Sequence, residues 1–152
     1  EKKGLVAPKF EDWLRHGLKI RGFTGPDEPI IIRVDDTEFE YDIMMISEQF
    51  QTIILADAKY RDVAPSALTK RTLVKQLLLD KDGLLSGVGT QQARLDLFRN
   101  HSDAFQENLK PERPWGEYDI QSFVITKQAP VFSGYQETKV QEAQEWVGGL
   151  PQ

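Results

Sequence analysis

The chain has no cysteine, and only two histidines, His16 and His101, among its 152 residues. Disulfides, thiolate nucleophiles and Cys-ligated zinc are excluded, and a histidine-rich metal site with them. A resident metal would have to be held by carboxylates, which favours Mg²⁺ or Mn²⁺. No apolar run approaches the ~20 residues that a membrane span needs. The opening EKKGLVAPKF carries positive charge without an apolar segment behind it, so no signal peptide is expected and the expected compartment is the cytoplasm. Internal repeats and low-complexity tracts are also missing. The length fits a single domain over residues 1–152. The start at Glu1 rather than Met is compatible with excision from a larger protein, with fused or partner domains outside this chain.

What is present is ordinary in bulk and uneven in detail. Apolar residues make up 39% and charged residues 28%, with a net charge of −5, which argues mildly against nucleic-acid binding through bulk charge. The charge is segregated, however. Residues 1–25 carry +3, residues 26–57 carry −8 and residues 58–75 carry +4. An acidic block thus lies between two basic ones. It reads either as uneven solvated surface or as a metal centre flanked by phosphate-binding groups.

Periodicity gives a coarse order of elements. Phe10, Leu14 and Leu18 repeat at helical spacing, so a helix is expected over residues 10–23, with Pro8 ahead of it and Gly22 stopping it. Residues 30–34, 38–46 and 52–60 read as three strands joined by short turns, an antiparallel meander. A helix capped by Ser66 and closed by Gly83 follows, then a flexible link, LLSGVG. A second long helix is expected over residues 90–109, a strand over 120–126 and a last helix over 137–150. The expected class is α/β, a mixed sheet flanked by helices, in the order α-βββ-α-α-β-α. The three tryptophans read as core, and His16 and His101 as solvent-exposed.

The stretch YDIMMISEQFQTIILADAKY poses the functional question, because charges stand inside its most apolar strands. Residues two apart share a face of a strand, so Asp57 and Lys59 point the same way. A turn near residues 48–50 places Asp42 roughly opposite Asp57. Two facing carboxylates repel and are desolvated unless a cation sits between them. A hydrated Mg²⁺ would relieve that cost, and Lys59 beside it could orient a water or neutralise charge on a phosphate. The plainer reading makes Asp42 and Asp57 strand-end residues that pair with Lys59 or Arg33.

This arrangement resembles the PD-(D/E)XK nuclease superfamily, the restriction-endonuclease-like fold. Asp42, preceded by Tyr41 rather than Pro, matches the first acidic position, and Asp57-Ala58-Lys59 matches the (D/E)XK element. The resemblance covers residues 4–80 and, loosely, 118–130; residues 84–117 match nothing in it. It implies a Mg²⁺- or Mn²⁺-dependent endodeoxyribonuclease of restriction, defence or DNA-processing type. Asp42, Asp57 and the Ala58 carbonyl would hold the metal, Lys59 would serve the chemistry, and Glu11, in FED at a helix start, would complete the site. Lys70, Arg71, Lys75 and Gln76 on the following helix would meet nucleic acid. Cutting both strands of a duplex would be consistent with a homodimer. Two other readings stand beside it: the same fold with a disabled site, binding DNA or protein, and an unrelated α+β interaction domain. The last is favoured if the first three strands are not neighbours in one sheet.

Overall fold

The computed structural model describes residues 2–59, 84–127 and 134–151. A long helix, α1 (Lys2–Ile20), leads into a hairpin of β1 (Ile30–Val34) and β2 (Thr37–Tyr41), then a second hairpin of β3 (Ile43–Ser47) and β4 (Thr52–Lys59). Helix α2 (Leu84–Asn100) is followed by a 3₁₀ turn (Ser102–Phe105), a single helical turn α3 (Gln106–Leu109) and a second 3₁₀ turn (Trp115–Glu117). The chain closes with β5 (Asp119–Thr126), β6 (Gly134–Tyr135), β7 (Thr138–Glu142) and α4 (Ala143–Gly148). None of the described helices is long and apolar enough to cross a membrane.

The main sheet has the order β3-β4-β5-β7-β6. β3 and β4 are antiparallel, β5 runs parallel to β4, and β7 parallel to β5. Both faces are covered, which explains why β3 and β4 are continuously apolar rather than alternating. Ile43, Met45, Ile54 and Ala56 pack under Leu14 and Leu18 of α1 and Trp146 of α4. Met44, Ile46, Ile53 and Leu55 face Leu95 and Phe98 of α2 and Phe105. Burying each such side chain contributes about 1.5–3 kcal/mol.

The fold class expected from the sequence holds as a mixed α/β sheet flanked by helices, but several details differ. The meander is split: β1 and β2 form their own two-stranded sheet, and the strand expected over residues 38–46 breaks at Asp42. The β1–β2 turn places Asp35 and Asp36 at φ 49° and 65°, the left-handed conformation that a tight hairpin demands. Helix α1 begins well before Pro8, so Glu11 lies mid-helix rather than at its start. Its end is as expected. Gly22 takes φ +89°, and Phe23 N–H and Gly22 N–H donate to the Leu18 and Lys19 carbonyls, closing the helix with Phe23 and Leu18 both in the core.

The supposed link LLSGVG forms the first turns of α2, with Val88 buried against Val124 and Val140. The long helix over 90–109 is interrupted after Asn100, where the Ser102 hydroxyl donates to the Phe98 carbonyl in competition with the helix ladder. The last helix is shorter than expected. Thr138 and Val140 are buried at strand spacing and pair with β5, and only Glu142, accepting from Gln144 N–H and Glu145 N–H, starts α4. Trp146 is core, but Trp13 is 46% exposed. His16 and His101 are exposed, as the sequence suggested.

Candidate functional site

The break in the second strand creates the site. Tyr41 ends β2 and Ile43 begins β3, so Asp42 is the hinge between the two sheets. Tyr41 is buried and its hydroxyl donates to the Arg94 carbonyl on α2 at 2.8 Å. Burial raises the Tyr41 phenol. On the other side, the Arg15 guanidinium of α1 donates to the Asp42 carbonyl. The hinge is therefore clamped between two helices. The β3–β4 register pairs Ile43 with Ala56, and one further step sets Asp42 opposite Asp57.

The carboxyls of Asp42 and Asp57 lie within hydrogen-bonding reach of one another. The Asp42 side chain also accepts from Ala58 N–H at 3.3 Å. Its pKa is raised to about 8, first by burial, then by the hydrogen bond to Asp57 and the charges of Asp57 and Glu11, with the Ala58 N–H pulling the other way. Glu11 is also raised, mainly by burial; Arg15, at 3.1 Å, tempers the effect and Asp57 adds to it. Asp57 is the most enclosed of the three, with 4% of its side chain exposed.

Two cations meet Asp57. Lys59 Nζ lies 3.3 Å from Oδ2, and Arg94 of α2 lies 3.5 Å from Oδ1. Alternation along β4 does put Lys59 beside Asp57, and the face they share is the one α2 covers. Apart from the Lys59 ion pair, Asp57 Oδ2 is buried without a hydrogen bond.

Comparison with protein-family models, curated proteins and solved structures found no match to this chain.

Of the residues singled out in the sequence, Glu11, Asp42, Asp57 and Lys59 thus come together around the end of β4, with the Ala58 backbone among them. Arg33, the other cation considered for the carboxylates, pairs with Glu38 on the β1–β2 hairpin instead. Lys70, Arg71, Lys75 and Gln76 lie outside the described residues. Among the described residues, no three His, Asp or Glu side chains form a group able to hold a metal ion. Glu11 is near but turned onto Arg15, and Asp12, at 3.1 Å, holds the same guanidinium from the outside.

Three contributors were not visible in the sequence. Arg15 looks like any helix charge, yet only 5% of its side chain is exposed. Arg94 and the fully buried Gln91 look equally plain, but Gln91 Oε1 accepts from Arg94 Nη1 at 3.0 Å and holds it over Asp57. The only sequence signal was the polar run QQAR inside an apolar helix, which needs a buried partner to make sense.

Proposed function

We propose that this chain is a metal-dependent nuclease that hydrolyses phosphodiester bonds of DNA. The observation that carries the reading is the pair of buried carboxyls, Asp42 and Asp57, pressed together so that one is driven toward its neutral form. Such a pair is costly without cations beside it, and Asp57 Oδ2 is buried without a hydrogen bond, its nearest cation being Lys59 Nζ at 3.3 Å. The donor set suits Mg²⁺ or Mn²⁺, held by Asp42, Asp57 and the Ala58 carbonyl, with Glu11 reaching it only by leaving Arg15. A metal so held would supply Lewis acidity to a phosphate oxygen and acidify a water.

The chain's own contribution centres on Lys59. Its side chain is 30% exposed at the end of β4, so it can reach both the carboxylates and a phosphate arriving from solvent. There it would orient the attacking water and offset negative charge accumulating on phosphorus. What supports the reading in the fold is the order of α1, the antiparallel β3–β4 hairpin that ends in Asp57-Ala58-Lys59, and a further strand, β5, beside β4. The separate β1–β2 sheet weighs toward an unrelated α+β domain, but its break falls at Asp42 itself, so the strands still follow one another as consecutive hairpins.

One observation favours the disabled-site reading. Lys59 and Arg94 already neutralise Asp57, an arrangement that could hold the fold with no metal. Calorimetry and cleavage assays decide between them. Wild type should bind Mn²⁺, Asp57→Ala should lose that binding, and Lys59→Ala should keep it while losing about 100-fold or more of hydrolysis. Equal Mn²⁺ affinity in wild type and Asp57→Ala would remove the metal site. Full activity of Lys59→Ala on single- and double-stranded DNA would remove the lysine's role.

A further inference from the structure

We infer that Arg94 is the resident counter-ion of Asp57 in the cation-free protein, and that once a divalent cation is held by the carboxylates it turns to the phosphate of the bound nucleic acid. This rests on the metal-site reading above, and it assigns a role to a residue outside the D-X-K element. Arg94 stands on α2, on the sheet face where Asp57 and Lys59 project.

Its bonding is incomplete in a telling way. The guanidinium makes one well-formed hydrogen bond, to Gln91 Oε1 at 3.0 Å, and a looser ion pair of 3.5 Å to Asp57 Oδ1. Its Nε is buried with no hydrogen-bond partner, although only 13% of the side chain is exposed. A buried guanidinium normally satisfies its fork of donors, because an unmet charged donor in low dielectric is expensive. Asp57 Oδ2 shows a complementary gap: it is buried without a hydrogen bond, and its nearest cation is Lys59 Nζ at 3.3 Å. Arg94 Nε and Asp57 Oδ2 do not satisfy each other. A cation would answer the acceptor, and an anionic oxygen would answer the donor. A divalent cation together with a phosphodiester is the ligand pair that meets both.

Gln91 and the Arg94 main chain explain how the residue can serve both states. Gln91 is 1% exposed, and the Arg94 carbonyl is fixed by Tyr41, next to the Asp42 hinge. The base of the side chain is therefore anchored while its tip can exchange partners. Leaving Asp57 Oδ1 gives up only a loose ion pair, and the Gln91 bond can persist. The positive charge of Arg94 opposes a cation at Asp57 before that exchange and favours phosphate after it.

The test compares wild type, Arg94→Gln and Arg94→Lys by calorimetry with Mn²⁺, and by duplex-DNA binding with and without Ca²⁺. Thermal unfolding reports whether each variant is folded. Arg94→Gln should bind Mn²⁺ about five- to tenfold more tightly, since the competing charge is gone. Arg94→Lys should return toward wild-type Mn²⁺ affinity. Arg94→Gln should also weaken DNA binding about tenfold in Ca²⁺ and leave it unchanged without Ca²⁺, because in that state Arg94 is engaged by Asp57. A merely structural arginine would weaken both ligands in both conditions. Unchanged or weaker Mn²⁺ binding in a folded Arg94→Gln overturns the proposal while leaving the metal site standing. If wild type and both variants bind no Mn²⁺, the metal-site reading itself falls and takes the proposal with it.

Discussion

Replacing Asp42 by Asn probes the carboxyl pair without disturbing its shape. Asn keeps an oxygen that can accept from Ala58 N–H, now 3.3 Å from Asp42 Oδ2, and removes the charge that faces Asp57. In the folded chain the Asp42 carboxyl titrates at about 8, against an ordinary value of 3.8, with burial the largest cause and Asp57 the next. A folded-state value above the unfolded one means that the native state holds a proton which the unfolded state has released. No penalty is therefore felt below about pH 4; it grows as pH rises and is complete above about pH 8. Each unit crossed is worth about 1.4 kcal/mol, so roughly three units to pH 7 would set a ceiling near 4 kcal/mol. The interaction is shared with Asp57, and Lys59 and Arg94 offset part of it, so the expected gain of Asp42→Asn at pH 7–8 is about 2–4 kcal/mol. Urea unfolding in chelator, at half-unit steps from pH 4 to 8.5, measures it. The two proteins should be about equally stable near pH 4 and diverge steadily above it, with the variant the more stable. Parallel profiles would refute the reasoning, since they would mean that the pair carries no strain that a neutral side chain can release.

Two further outcomes are expected. Lys70→Ala, Arg71→Ala and Lys75→Ala combined should flatten the log–log salt dependence of DNA binding in Ca²⁺ by about one to three units without changing Mn²⁺ affinity; an unchanged slope would return those residues to plain surface. Arg15→Met should destabilise the protein by about 3–5 kcal/mol in urea unfolding, because it leaves the part-buried Glu11 carboxyl and the Asp42 carbonyl without their donor; a loss under about 1 kcal/mol would show that the clamp on the hinge is dispensable.

Local pattern carried much of the fold. The β3–β4 hairpin was legible because eight apolar residues flank a polar turn, and two covered faces allow no other placement. The stop of α1 at Gly22 was legible because only a left-handed residue closes a helix that way. Elements whose identity depends on a distant neighbour were not. Thr138 and Val140 fit a helix pattern that runs on to Trp146, and only pairing with β5 makes them a strand. LLSGVG holds two glycines and reads as a link, yet α2 begins there because Val88 has Val124 and Val140 to bury against. Tertiary burial outweighed propensity in both cases.

The site divides along the same line. Asp42, Asp57 and Lys59 were legible because charge inside an apolar strand must find a partner, and strand alternation says on which face. Their cationic neighbours were hidden, since a lysine or arginine on a helix looks the same whether it faces water or, like Arg94, a carboxylate distant in sequence such as Asp57, and Lys19 and Arg15 show the same on one helix. Lys19 pairs with the exposed Asp27, while Arg15 is buried across Glu11 and the Asp42 hinge. The distinction matters for chemistry. A sequence showing only two aspartates and a lysine describes a site of net charge −1. The folded site adds Arg94 and Arg15 against Glu11, which brings it to zero when both aspartates are ionised and leaves it positive while Asp42 keeps its proton. A neutral site holds a divalent cation only weakly until one of its own cations moves, and Arg94, with a loose ion pair and an unmet donor, is the one with least to lose.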